Sequence, residues 1–231
     1  MIWVFISALV FLSLNAQGQS SSQRYQSVFE NDVVAVYRLD LPVNGSVSTF
    51  ESTHDTFWLS LDDANVTFSV QRGRSAVEFR SGDTRFFPSF ETKSVSNNGK
   101  TQFRGVVVVL KPRALISSEC ECTGNTGKAV CGCMGAGHLE SLWAFNMGAV
   151  TLAGTELGPD ERFRAAAQRD DMLMVAVTDI DLTDDVENPA PDQVESSAIR
   201  LKAGQAVWIR GGRHRFKNVS VEAARFVTFE F

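Results

Sequence analysis

The sequence predicts an all-β protein built from two copies of one unit, and three observations carry that expectation. First, short bursts of alternating residues rich in β-branched and aromatic side chains recur, at 56–61, 65–70 and 172–177, bounded by Gly, Pro, Asn and Asp. Second, no long stretch carries helical periodicity, and only 160–171 tolerates a helix. Third, the two halves repeat each other. Ser75-Ala76-Val77-Glu78-Phe79-Arg80-Ser81-Gly82 matches Ser197-Ala198-Ile199-Arg200-Leu201-Lys202-Ala203-Gly204, and apolar residues follow in each copy. The chain has 231 residues, 44% hydrophobic and 21% charged, which excludes wholesale disorder and predicts a real core. Its 22 Lys and Arg against 27 Asp and Glu give a net charge of -5, with no dense basic run to neutralise phosphates, so nucleic acid is not an expected partner.

Taken in chain order, residues 1–18 read as a signal peptide: an uncharged apolar run over 2–14, then small residues at Ala16 and Gly18 that suit cleavage after Gly18. The alternative is a short retained anchor, although a span needs about 18 or more apolar residues. Secretion or a periplasmic location follows. Residues 19–116 form the first copy, with strands over 33–41 leading to Gly45, then 75–87, then 103–110. Residues 117–137, rich in Gly, Cys and Thr, read as a connector. Residues 138–231 form the second copy, where 148–157 leads to Gly158 and the chain closes on a β-rich run at 226–231. Sequons stand at Asn44, Asn65 and Asn218.

The spacing within each half resembles the cupin family of small jelly-roll barrels, and the mature chain is similar to a bicupin. The resemblance implies two tandem cupin-type jelly-roll barrels. It rests on Gly204, Trp208, Gly211-Gly212, His214 and Asn218, which resemble the family's second motif, with the turn at 211–212 bringing His214 toward the barrel interior. The family's first motif is Gly, five residues, then His-x-His. Here those positions fall on Glu51 and Thr53 from Gly45, and on Arg164 and Ala166 from Gly158. In the first copy, aligning Gly82 and Asn97 places Lys93 where the second-motif His would sit, and a protonated Lys is not a metal ligand. The metal-binding motifs are therefore degenerate.

His214, Asn218 and Trp208 in the second barrel, and Glu51 and Lys93 in the first, are the candidate ligand-binding residues. His214 with Asp171 (or Asp170) is the candidate metal pair; a divalent metal needs about three or more suitable protein ligands. His214 equally suits a structural hydrogen bond that holds its hairpin, and His54 suits a surface position. Cys120, Cys122, Cys131 and Cys133 form Cys-x-Cys, eight residues, Cys-x-Cys. Folding about 126–127 sets Cys120 opposite Cys133 and Cys122 opposite Cys131, which favours two disulfides over a zinc site in an exported protein. The acids between Asp179 and Glu195 read as a solvated loop rather than a calcium site, and Arg210, Arg213, Arg215 and Lys217 as the outer face of a strand.

Three function classes follow. The first is an exported noncatalytic bicupin without a cofactor, monomer or homodimer, that binds an unidentified small molecule or partner or serves structurally. The second is a metal-dependent enzyme of oxygenase or isomerase type acting at His214. The third is a secreted interaction protein whose working surface is the cysteine connector. An interior filled with apolar side chains favours the first, and His214→Ala is then expected to leave folding nearly intact.

Overall fold

The computed structural model describes residues 25–49, 54–71, 73–89, 92–111, 143–146, 150–164, 171–187, 189 and 195–231. The first half supplies β1 (Tyr25–Glu30), β2 (Val34–Leu41), β3 (Ser46–Ser48), β4 (Thr56–Ser60), β5 (Ala64–Val70), β6 (Gly73–Phe79), β7 (Thr84–Phe87), β8 (Thr92–Asn97) and β9 (Phe103–Leu110). The second supplies β10 (Trp143–Asn146), β11 (Thr151–Leu157), β12 (Arg162–Arg164), β13 (Met172–Ala176), β14 (Ile180–Glu187), β15 (Ser196–Leu201), β16 (Ala206–Ile209), β17 (Arg213–Asn218) and β18 (Ala224–Glu230). No helix occurs among the described residues. Each half makes a five-stranded and a four-stranded antiparallel sheet: β1-β2-β9-β4-β7 with β3-β8-β5-β6, and β10-β11-β18-β13-β16 with β12-β17-β14-β15. The strand orders are identical, so the repeat seen in the sequence is a repeat of topology.

The equivalence extends to individual hydrogen bonds. Asn97 Nδ2 donates to the carbonyls of Leu41 (3.1 Å), Pro42 (3.2 Å) and Thr101 (2.8 Å). Asn218 Nδ2 donates likewise to Leu157 (2.9 Å), Gly158 (3.2 Å) and Glu222 (2.7 Å). Each asparagine thus clasps the turn that ends β2 or β11 to the turn that begins β9 or β18. Gly82 (φ 91°) and Gly204 (φ 83°) hold the left-handed backbone of the matched turns before β7 and β16, which disfavours any residue with a Cβ. Those matched pairs agree with the sequence register, but the pairing of Gly45 with Gly158 does not survive. The left-handed residues of the two turns are Asn44 (φ 57°) and Asp160 (φ 61°), so Glu161 is the counterpart of Gly45, and Gly158 that of Pro42. A count from Gly158 starts three residues early. Polar side chains tolerate this backbone, so glycine was no guide to its position.

Three buried clusters explain the composition of the strands. One fills the N-terminal barrel around Trp58, Phe68, Phe79, Phe87 and Phe103. A second fills the C-terminal barrel around Met172, Met174, Leu182, Phe216 and Phe226. The third lies between the two five-stranded sheets and draws on both halves, including Phe57, Val106 and Val108 from one and Leu173, Val175 and Phe229 from the other. Because both faces of β9 and β13 are covered, these strands read as continuous apolar runs rather than alternating ones. Phe57 meets Phe229 edge-on across the interface at 5.4 Å between ring centroids. Arg225 crosses it as well, donating through Nη2 to the Ser81 carbonyl at 2.8 Å. The acid-rich stretch is not wholly a loop: residues 180–187 are β14, whose inward row reads Ile180, Leu182, Asp184, Val186.

Candidate functional site

Strand alternation puts His214 on the inward face of β17, beside Phe216 and Asn218. It is 3% exposed, and its ring stacks on Phe216 at 5.8 Å with the planes 5° apart. Its Nδ1 lies 2.9 Å from both carboxylate oxygens of Asp184, and its Nε2 lies 2.8 Å from the carbonyl oxygen of Arg210. A carbonyl only accepts, so Nε2 carries a proton; a carboxylate also accepts, so Nδ1 carries the other. The geometry is that of an imidazolium held against a buried carboxylate, with Asp184 itself 4% exposed. Burial lowers the His214 pKa, but the hydrogen bond and charge of Asp184, with help from the Arg210 carbonyl, outweigh it and hold the pKa above the ordinary value of 6.5.

That pair anchors a chain of contacts reaching out of the barrel. His214 holds the Arg210 carbonyl; the next residue, Gly211, donates its N–H to Asp171 Oδ1 at 2.8 Å; and Asp171 Oδ2 accepts from Trp208 Nε1 at 3.0 Å. Trp208 faces the interface between barrels, not the barrel interior where a ligand was expected. Its neighbours on either side in β16, Val207 and Ile209, belong to the interior, and alternation sends Trp208 the other way. It stacks on Phe29 of the N-terminal half at 6.1 Å and on Phe231 at 5.4 Å. A buried ion pair in one barrel is thereby linked to a ring contact with the other.

Among the described residues the N-terminal barrel has no buried histidine–carboxylate pair at the matching place. The position equivalent to Asp184 is Phe68, which is fully buried and packs against Trp58 (5.2 Å), Phe87 (4.5 Å) and Phe79 (6.2 Å). The position equivalent to His214 is not Lys93. Val186 pairs with His214 across β14 and β17, whereas Val70 pairs with Thr92 across β5 and β8, because the register shifts between Ser69 and Val70. This bulge turns Thr92 inward, 5% exposed, and leaves Lys93 exposed on the outer face.

Asn218 is fully buried, and its amide serves the turn clasp described above; His214 bonds Asp184 and not Asn218. Glu51, Thr53, Asp170, Ala166 and all four cysteines lie outside the described residues, as does His138. His54 is partly buried. On the corrected turn register the first-motif positions of the second copy become Ala167 and Arg169, which are no better as ligands than Arg164 and Ala166. Asp184, which sequence reasoning grouped with the acidic run, is the residue it missed; its place in the row Ile180, Leu182, Asp184 was the available signal. Three other acids on β14 or just before it meet cations, Asp179 with Lys202 at 2.8 Å, Asp181 with Arg200 at 3.1 Å, and Glu187 with Arg215, while Asp185 accepts from the Ser196 hydroxyl at 2.7 Å. Lys217 pairs with Asp160 at 2.7 Å. Arg215 and Lys217 of β17 therefore belong to a charge ladder on the outer face of the sheet, where such pairs contribute little each.

Cupin-type folds imply a metal, and the described donors do not fit one. Both nitrogens of His214 face acceptors, leaving no lone pair to coordinate, and both oxygens of Asp171 accept hydrogen bonds from Trp208 and Gly211. No group of three or more His, Cys, Asp or Glu suited to a metal occurs among the described residues.

No family model matches the sequence, and no curated protein matches it. Solved structures do match in fold. Salicylate 1,2-dioxygenase from Pseudaminobacter salicylatoxidans aligns with a TM-score of 0.61 at 9% identity, over 90% of this chain and 76% of that one. Oxalate decarboxylase from Lactobacillus farciminis, in a formate complex, aligns with a TM-score of 0.59 at 11% identity, over 90% and 84%. Vicilin from hazelnut, Corylus avellana, aligns with a TM-score of 0.57 at 10% identity, over 90% and 83%. The fold is that of two tandem cupin-type jelly-roll barrels.

Proposed function

We propose that this two-barrel chain of cupin fold is an exported, noncatalytic protein whose N-terminal barrel is structural and whose C-terminal barrel accepts a small ligand. The observation that carries the reading is the commitment of both His214 nitrogens to Asp184 and the Arg210 carbonyl. An imidazolium in that state neither coordinates a metal nor accepts a proton as a base. The aromatic filling of the first barrel supports a structural role there. The second interior holds fewer aromatic rings, with Met174 where the first barrel has Trp58, and it includes the buried Thr155, whose hydroxyl has no hydrogen-bond partner. Such a lining suits a ligand that offers one polar atom on an apolar body. Export rests on the apolar run at 2–14 and on the two Cys-x-Cys repeats at 120–122 and 131–133, whose spacing suits disulfides, and the interface already filled between the two large sheets supports a monomer.

Elemental analysis of protein purified from its own compartment, without chelators or a His tag, tests this. The expected result is no stoichiometric metal. A stoichiometric metal that disappears in both His214→Gln and Asp184→Asn would overturn the proposal in favour of a metal-dependent enzyme of oxygenase or isomerase type at the C-terminal barrel.

A further inference from the structure

The mouth of the N-terminal barrel holds a small void of about 10 Å³ lined by Thr49, Thr56, Trp58, Phe87, Pro88, Thr92 and Val107. Three of its walls are threonines. Thr49 Oγ1 donates to the Thr92 carbonyl at 2.6 Å, and Thr56 Oγ1 accepts from Trp58 Nε1 at 3.3 Å. The Thr92 hydroxyl has no hydrogen-bond partner, although the residue is 95% buried by its 5% exposure. An unpaired buried hydroxyl is costly, and a bulge that turns it inward makes sense only if something in the void answers it. A void of that size takes one water, which needs two to four polar partners. Thr92 offers both hydroxyl roles, while Thr49 and Thr56 each keep acceptor capacity beyond the bonds they make. The remaining walls, Trp58, Phe87, Pro88 and Val107, are apolar and disfavour an ion, and three neutral hydroxyls form a poor donor set for a divalent metal.

We propose that the N-terminal barrel binds a single water molecule at Thr92, in the place that the imidazole of His214 occupies in the C-terminal barrel. The water restores the polar contact that one barrel makes with a side chain and the other has lost. It also closes the mouth of the first barrel against larger ligands, because the space admits nothing more.

Thr92→Val, which keeps shape and removes the hydroxyl, gives opposite signs for the two alternatives. With the water bound, Thr92→Val breaks a satisfied network and lowers the urea midpoint, and Thr92→Ser restores most of it. With the hydroxyl unanswered, Thr92→Val relieves a buried unpaired group and leaves the midpoint unchanged or raises it, which overturns the proposal. A crystal structure of the wild-type protein gives an independent check: ordered water density within about 3.2 Å of Thr92 Oγ1 upholds the site, and an empty void or a coordinated ion at that point overturns it.

Discussion

The two barrels share strand order, turn geometry and the asparagine clasp, yet they fill their interiors by opposite means. The first places Phe68 between Trp58, Phe79 and Phe87. The second places Asp184 at the same point and neutralises it with His214. The aromatic solution is rigid and indifferent to pH. The ionic one costs desolvation of two charges, is bound to its partner, and responds to protons. The comparison shows how two copies of one duplicated fold can fill the same strand framework with either an aromatic cluster or a buried ion pair.

The strongest way to break this comparison is to remove one member of the ion pair. The sequence alone led us to expect that His214→Ala would be tolerated; the buried partner reverses that expectation. Loss of the imidazole strands Asp184, so His214→Ala is expected to lower stability by about 3–5 kcal/mol in urea denaturation at pH 6. His214→Leu combined with Asp184→Leu makes this interior apolar like the first, and is expected to lose far less than the single variant. Equal losses in both would show that the pair is not coupled. A smaller effect sharpens what the barrels have in common. Asn97→Ala and Asn218→Ala each strand three carbonyls in a turn, and each should cost about 1–3 kcal/mol, in similar amounts. A clear inequality between them would mean that the matched bonds are not matched in strength.

The smallest effect concerns pH. The folded His214 pKa is raised above the unfolded value near 6.5, so its contribution is fully present below that value and fades as pH rises through the folded pKa. Stability of the wild type relative to the double leucine variant should therefore decline from about pH 6.5 upward. Because the Arg210 carbonyl and Asp171 connect His214 to Trp208, the emission difference between wild type and Trp208→Phe should titrate over the same range. A flat difference would sever the interior of the second barrel from its interface with the first.

Much of the fold was legible in the sequence because matched turns require matched residues: Gly82 with Gly204 and Asn97 with Asn218 stand at the same places in both chain and space. The site was less legible. One extra residue in β8 shifts side-chain parity, so a count that lands on Lys93 misses the inward Thr92. Asp184 was hidden by its company. Among six other acids it looks like one more solvated charge, and only the apolar row of β14 sets it apart. Trp208, a candidate ligand-binding residue by its sequence, packs instead at the interface between barrels, and a strand covered on both faces carries no amphipathic signal to say which way its side chains point.

The asparagine clasp bears on where such a chain can be manufactured. Asn218-Val219-Ser220 is an acceptor triplet for N-linked sugar, and the nitrogen that a glycan would modify is the one that donates to Leu157, Gly158 and Glu222. Asn44 and Asn65, by contrast, are exposed and can carry an oligosaccharide without disturbing a core. In a cell that decorates nascent chains, folding of the last hairpin and the transferase would compete for one amide: molecules that close first mature, and molecules modified first lose the lock on the second barrel.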